Sequence, residues 1–181
     1  MPPPPKKKGG AGKVLLIIAA VLVVLCGGGI VLVAVIAKDA PKGGGSAAVH
    51  AGMNQPARDG KFEFTVTKVQ CGVPKVGDDV LGKTAQGQFC LVTVKVSNIG
   101  TVPQTFDGGD QKAHDAAGTT FANDGTAEIY SNKDTATFLD QINPGNSVVG
   151  TLVFDIPKTA VIKTLELHDS AFSGGVIVTV A

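Results

Sequence analysis

Basic side chains of the kind that bind nucleic acid are scarce in this 181-residue chain. Residues 61–181 contain no arginine, and their nine lysines are outnumbered by thirteen acidic residues, so that their net charge is −4. Nucleic-acid binding depends on clustered cations that neutralise phosphates. This part of the chain therefore excludes nucleic acid as a partner. Charged residues make up only 17% of the whole sequence, which excludes a disordered, charge-rich tail protein.

Motifs for catalysis and cofactor binding are also missing. The chain has neither a Gly-x-Ser-x-Gly nucleophile elbow nor a phosphate-binding Gly-x-x-x-x-Gly-Lys-Ser/Thr loop. Its three histidines, at positions 50, 114 and 168, are not spaced with cysteines as zinc ligands are. His114 and His168 each precede an aspartate, but adjacent side chains of a strand point to opposite faces. We interpret both as exposed loop or edge residues, and we expect no enzymatic activity and no cofactor.

One long segment contains no charge at all. Residues 14–37 are 24 consecutive uncharged residues, mostly apolar. As a helix they would be about 36 Å long, enough to cross a hydrocarbon core of about 30 Å. The segment therefore predicts one transmembrane α-helix.

The charges around this segment predict its orientation. Four lysines lie in residues 1–13, a Pro- and Lys-rich tail, whereas Lys38 is the one cation close behind the span and is followed by Asp39. Positive charge stays on the cytoplasmic side. We therefore expect a single-pass protein of the cell membrane, with its N-terminus in the cytoplasm and its C-terminal part outside. The orienting residues are Lys6, Lys7, Lys8 and Lys13.

Two alternatives use the same apolar segment. A secretory signal peptide would be cleaved after Val35-Ile36-Ala37, although the apolar stretch exceeds the usual length of about 7–15 residues. A bacterial lipoprotein would be lipidated at Cys26, although Leu25 stands where a small residue is expected. Within an uncleaved span, Ala20, Gly27 and Ala34 share one helix face. A stripe of small residues allows a second helix to approach, so helix–helix association is a further expectation.

The remaining sequence divides into a linker and a β-rich region. Residues 38–60 include Gly43-Gly44-Gly45-Ser46 and two prolines, a composition that predicts a flexible tether. From residue 61 onward, apolar residues alternate with polar ones, as in Phe62, Phe64 and Val66. Such alternation is typical of strands with one face on a core. Shorter candidate strands are Thr101–Phe106, Gln111–Asp115, Thr119–Phe121, Thr135–Leu139 and Thr164–His168.

Turn signals such as Asn123-Asp124-Gly125 and Asn143-Pro144-Gly145 separate these segments. About seven to nine short strands without a convincing helix predict an all-β domain over residues 61–181. Its expected architecture is an immunoglobulin-like antiparallel β-sandwich, preceded by the transmembrane helix.

Two cysteines and three aspartates are the candidate site residues of this region. Cys71 and Cys90 form an even pair outside the cytoplasm, which predicts a disulfide that closes a loop of about 20 residues. Val73–Leu81 would then be a protruding loop tied at its base. Asp107, Asp110 and Asp115 are the candidates for calcium, but they lack EF-hand spacing. Aspartates beside glycines more often form turns, and we expect no metal there.

Three segments resemble a known family. They are Gly60–Val66 as an opening strand, the valine-rich run from Cys90 to Gly100, and Asn143-Pro144-Gly145 followed by Gly150–Pro157. Together they resemble the telokin-like, immunoglobulin-fold domain of unknown function found in anchored and secreted proteins of Gram-positive bacteria, especially actinobacteria. The resemblance covers about residues 60–181. It implies an extracellular β-sandwich and no known activity.

These observations predict a membrane-anchored, extracytoplasmic binding or assembly module. It would dock on another envelope protein or serve as an accessory subunit of a membrane complex, so that its partners are the lipid bilayer and an envelope or membrane protein. One alternative is an extracytoplasmic sensor or ligand binder for calcium or a cell-wall fragment. Another is a cleaved, secreted, antigen-like protein.

Overall fold

The computed structural model describes residues 49–132 and 138–181. The predicted tail, span, orienting lysines, small-residue face, cleavage site and lipidation site all lie outside these residues. Within the two described ranges, no helix has the length and apolar character needed to cross a bilayer.

Eleven strands, one short helix and one 3-10 turn make up the described chain. The strands are β1 (Val49–Gly52), β2 (Ala57–Asp59), β3 (Phe62–Gly77), β4 (Gly82–Asn98), β5 (Gln104–Thr105), β6 (Lys112–His114), β7 (Thr120–Ala122), β8 (Gln141–Ile142), β9 (Ser147–Ile156), β10 (Thr164–Leu167) and β11 (Val176–Thr179). Helix α1 (Gly125–Ser131) follows β7, and the 3-10 turn is Gly108–Asp110.

Two sheets enclose the core. One has the order β2-β3-β4-β9, the other has the order β1-β11-β10-β6-β7, and β5 and β8 form a separate pair. Phe62, Phe64 and Val66 of β3 are fully buried, as are Leu165 of β10 and Val178 of β11. The predicted all-β sandwich is confirmed, because alternate residues of strands in both sheets meet in one apolar cluster.

The predicted tether requires a correction. Residues 49–59, assigned to it, include β1, which pairs in parallel with β11, and β2, which pairs with the start of β3. Ala57 is buried in the core, although it is small. Short strands of small and polar residues add to a sheet through backbone hydrogen bonds, which a composition argument does not detect.

The predicted loop between the two cysteines also requires a correction. Val73–Gly77 belongs to β3 and pairs with β4, so that only residues 78–81 connect the two strands. The register shifts between Gln70 and Val73 and again between Val73 and Lys75. Such β-bulges interrupt strict alternation and hide the strand in the sequence.

Helix α1 was not expected. Asn123-Asp124-Gly125 reads as a turn, but Asp124 is the N-cap, and its Oδ1 accepts a hydrogen bond of 3.0 Å from the Ala127 amide. The helix lies on the outer face of the β3-β4-β9 sheet, where Ala127 packs in a second apolar cluster with Phe89 and Val153. Of the candidate strand Thr135–Leu139, the last two residues form a turn, and residues 135–137 lie outside the described chain.

Candidate functional site

The β3–β4 hairpin extends beyond the body of its sheet. β4 begins at Gly82, whereas its pairing with β9 begins only at Gln88. The predicted disulfide between Cys71 and Cys90, 19 residues apart, is confirmed and joins the two strands near this point. The hairpin is therefore covalently tied where it leaves the sheet.

The hairpin tip holds two apolar side chains in solvent. Val80 is 89% exposed and Leu81 is 60% exposed. Oδ1 of Asp78 accepts hydrogen bonds from the Val80 amide at 2.9 Å and the Leu81 amide at 2.7 Å. Gly77 adopts φ +82°, a conformation that glycine adopts without strain, and a Cβ at this position would collide with the Leu81 carbonyl. The tip is thus an ordered turn with an apolar surface.

A cleft of about 690 Å³ lies beside the hairpin stem. Its charged lining residues are one lysine and four carboxylates, and exposed Ile129 and Leu139 add apolar surface. The charged residues are Lys83, Asp107, Asp124, Glu128 and Asp155. The cleft is consequently acidic with an apolar part.

Lys83 joins the hairpin to helix α1. Its Nζ lies 2.6 Å from Oδ2 and 2.8 Å from Oδ1 of Asp124, the N-cap of the helix. Burial raises the pKa of Asp124, but hydrogen bonds from Lys83 and from helix amides outweigh burial and lower this pKa below its ordinary value. The ion pair fixes one wall of the cleft against the hairpin.

Glu128 is the buried carboxylate of the cleft. Burial raises its pKa to about 6; a hydrogen bond from Asn123 opposes this shift, and the charge of Asp107 adds to it. Nδ2 of Asn123 donates to Oε2 of Glu128 at 2.5 Å. Gly108 lies directly against the carboxylate, so that any side chain at position 108 would collide with it. The sequence did not indicate this residue, because its burial depends on the unexpected helix.

The three calcium candidates do not form a site. Among the described residues, no three or more His, Cys, Asp or Glu side chains are placed to hold a metal ion. Asp107 Oδ1 accepts a hydrogen bond from the Gly109 amide at 2.8 Å. Asp115 Oδ1 accepts one from the Ala117 amide at 2.9 Å and another from the Thr119 amide at 2.8 Å. Asp107 and Asp115 therefore stabilise turns, as aspartates commonly do, and Asp110 is the last residue of the 3-10 turn.

The interpretation of His114 and His168 as exposed loop or edge residues is wrong, and His114 is half-buried in β6, between β10 and β7. His168 is buried, and its backbone amide donates to Oε1 of Gln111 at 2.8 Å. Its Nε2 lies 2.8 Å from Oε1 of Glu166, and His114 Nε2 lies 2.9 Å from Oε2 of the same carboxylate. Glu166 thus links two histidines that are distant in sequence.

This His114–Glu166–His168 group resembles a catalytic relay in composition but not in arrangement. Ser173 Oγ lies 3.3 Å from Nδ1 of His168, yet it donates its hydrogen to the Ser170 carbonyl at 2.9 Å. The Ser170 carbonyl thus competes with the imidazole for the hydroxyl hydrogen, whereas a nucleophilic serine directs this hydrogen to its base. The group stabilises the junction of β6, β10 and the loop that follows β10.

Comparison with known proteins supports the fold. The family model described as a domain of unknown function (DUF4352) matches residues 51–177. No curated protein matches the sequence.

The chain is similar to several solved structures. The secreted protein MPT63 of Mycobacterium tuberculosis has a TM-score of 0.56 and 11% identity, over 74% of this chain and 98% of that one. The yjhA protein of Bacillus subtilis has a TM-score of 0.53 and 18% identity, over 72% and 99% of the two chains. A conserved hypothetical protein of Bacillus anthracis has a TM-score of 0.50 and 17% identity, over 70% and 94%. At these identities the likeness concerns the fold alone, and it agrees with the predicted resemblance to a β-sandwich domain of unknown function.

Proposed function

This chain belongs to the DUF4352 family of domains of unknown function. We propose that it is a membrane-anchored, extracytoplasmic module that binds another envelope protein through its β3–β4 hairpin. The sandwich would be of the immunoglobulin-like type. The observation that carries the proposal is the pair of exposed apolar side chains, Val80 and Leu81, on an ordered and disulfide-tied hairpin. Exposed apolar side chains on a preorganised turn favour binding, because little conformational entropy is lost on association.

The cleft beside the hairpin indicates the chemistry of the partner. Its carboxylates outnumber its single lysine, and Ile129 and Leu139 supply apolar contact area. A partner surface with basic side chains around an apolar pocket would complement both the cleft and the tip. Charge complementarity would set the orientation, and burial of Val80 and Leu81 would supply affinity.

The disulfide and the apolar segment support the proposed location. A disulfide between Cys71 and Cys90 persists in oxidising environments outside the cytoplasm. Residues 14–37 are long enough to anchor the chain in the bilayer. Together they favour an envelope protein that carries its sandwich on the outer side.

Site-specific crosslinking of the full chain in bacterial membranes tests this function. A photoreactive residue replaces Leu81 in one variant and Val149 in another, since Val149 is an exposed apolar residue of β9 outside the hairpin. We expect one discrete crosslinked partner from position 81 and none from position 149. Adding Val80→Asp should abolish the crosslink, whereas Val149→Asp should not.

Two results would contradict this proposed function. A complex that survives Val80→Asp together with Leu81→Asp, in a chain that still melts cooperatively, would exclude the hairpin as the binding element. A chain that purifies without a partner, and whose melting temperature rises with calcium or with cell-wall fragments, would replace protein docking by ligand binding.

A further inference from the structure

The chain enters the sandwich at the end opposite the hairpin tip. β1 begins with Val49 paired to Val176, directly after Gly175, whose amide donates to Oδ1 of Asp59 at 3.2 Å. Asp59 in turn pairs with Phe62, the first residue of β3. From Phe62 the strand continues to Gly77, roughly 50 Å at 3.3 Å per residue. This end of the sandwich contains Val49, the turn 60–61 and the loops 99–103 and 168–175. We call it the tether end.

The loops of the tether end expose large apolar side chains. Phe172 is 100% exposed, and Val102 and Ile99 are 53% and 43% exposed. Their two loops flank Lys61: the Ile99 amide donates to the Lys61 carbonyl at 2.8 Å, and Lys61 Nζ lies 4.0 Å from Oδ2 of Asp169. Loop 99–103 is held in place by Asn98, whose Nδ2 donates to the Val102 carbonyl at 2.8 Å.

The length of chain that precedes β1 limits how far this end can lie from an anchor. The predicted span ends at Ala37, and eleven residues, 38–48, separate it from β1. Fully extended, eleven residues reach about 36–40 Å. A flexible chain of that length has an average end-to-end distance of about 17–20 Å. With the span of the proposed function in the bilayer, a connection of eleven residues would keep the tether end near the membrane surface.

We propose that the tether end rests on the lipid bilayer, with Phe172, Val102 and Ile99 in its interfacial layer. Aromatic and aliphatic side chains at a membrane surface transfer out of water into the boundary between headgroups and acyl chains. Lys61 has a half-exposed side chain, and its ammonium group, 3.5 Å from Gln104 Oε1 and 4.0 Å from Asp169 Oδ2, would also be available to lipid phosphates. In this orientation the hairpin tip, at the other end of β3, would point away from the membrane. This inference rests on the membrane anchor of the proposed function.

The absence of tryptophan from the chain permits a direct test. The full chain is reconstituted in vesicles of phosphatidylethanolamine and phosphatidylglycerol, either unmodified or brominated in the acyl chains. Phe172→Trp supplies the only tryptophan in one variant, and Val80→Trp supplies it in the matched control. Bromine quenches tryptophan on contact. We expect brominated lipid to reduce the emission of Phe172→Trp by at least about twofold, because an interfacial side chain lies at the acyl boundary. The emission of Val80→Trp should not change.

Three other outcomes would contradict the inference, and each would identify a different reason. Equal emission with both lipids for Phe172→Trp, and for a second variant Val102→Trp, would exclude lipid contact while leaving the anchor intact. A blue-shifted but unquenched Phe172→Trp would mean that a second copy covers the tether end. A chain that does not float with the vesicles would overturn both the anchor and the lipid contact. Thermal melting of each variant verifies that the sandwich remains folded.

Discussion

His114 and Glu166 are diagonal neighbours across β6 and β10, and Nε2 of the imidazole lies 2.9 Å from Oε2 of the carboxylate. The other oxygen of Glu166 bonds to His168, so that one carboxylate stabilises two strands and a loop. Burial raises the pKa of Glu166, but hydrogen bonds from His168 and His114 outweigh burial, and the pKa falls below its ordinary value of 4.5.

Replacing this carboxylate should weaken the fold. Glu166→Gln removes a charged acceptor from two histidines, and we expect the free energy of unfolding at pH 7 to fall by about 1–2 kcal/mol. The matched control is Glu63→Gln, whose ion pair with Arg58 lies at the surface and should contribute less than about 0.5 kcal/mol. Urea denaturation measures both. Equal losses in the two variants would contradict the role given to Glu166.

The sign of the pH dependence at Glu166 follows from the lowered pKa. A carboxyl group that ionises more readily in the folded state contributes stability above pH 4.5, and this contribution disappears as the pH falls through the folded-state pKa. We therefore expect the difference in the free energy of unfolding between Glu166→Gln and the unaltered chain to become smaller as the pH is lowered below 4.5. Urea denaturation at each pH measures this difference. A loss that stays constant with pH would show that packing, not charge, is responsible.

Glu128 should have the opposite pH dependence. Its pKa is about 6 in the fold against an ordinary 4.5, so the folded state binds its proton more tightly. The stability from this group is complete below pH 4.5 and is lost as the pH rises through about 6, a difference of about 1–2 kcal/mol.

Glu128→Gln should then stabilise the protein at pH 7 and flatten its stability between pH 4.5 and 7. The glutamine amide oxygen can still accept the hydrogen bond from Asn123, and no buried charge remains. Thermal melting across this pH range measures the effect. Asp155→Asn is the control, because this carboxylate of the same cleft already accepts two backbone amides, and its loss should destabilise. A Glu128→Gln variant less stable than the unaltered chain at pH 7 would contradict the prediction.

Part of this molecule was predictable from sequence because the relevant signals are local. The alternation of Phe62, Phe64 and Val66 follows from the pleat of a single strand, and the buried faces of the sandwich were predicted from it. β1 was not predictable in this way, since its partner Val176 lies more than a hundred residues away.

The site residues show the same division. The disulfide was predictable because two cysteines lie in the part of the chain that is predicted to be outside the cytoplasm. The burial of His168, in contrast, depends on Gln111, 57 residues earlier in the chain. Glu128 became a cleft residue only because Asp124 starts a helix where the sequence indicates a turn. His168 was thus missed because its partner is distant in sequence, whereas Glu128 was missed because a local helix start was interpreted as a turn.

Removal of the disulfide should destabilise the fold and loosen the hairpin. The bond closes a loop across 19 residues and so restricts the unfolded chain. Because Cys71→Ala with Cys90→Ala removes this restriction, we expect the free energy of unfolding to fall by about 3 kcal/mol. Amide exchange at residues 82–87, beyond the pairing with β9, should accelerate most. Dithiothreitol should produce the same loss in the unaltered chain and none in the double variant. Unchanged exchange at the hairpin would contradict the view that the bond holds it.

A side chain at position 150 should destabilise the fold. It lies in β9, and a Cβ at this position would overlap the ring of Phe138, which is buried in the core beside Phe106. Because Gly150→Ala forces that ring to move, we expect the free energy of unfolding, measured by chemical denaturation, to fall by about 1–3 kcal/mol. Gly125→Ala is the matched control, because a Cβ there meets no atom within 4 Å and the position opens helix α1. Alanine should be neutral or stabilising by up to about 1 kcal/mol at that position. If both substitutions had the same effect, the close contact of Phe138 with the backbone of β9 would not limit packing in this core.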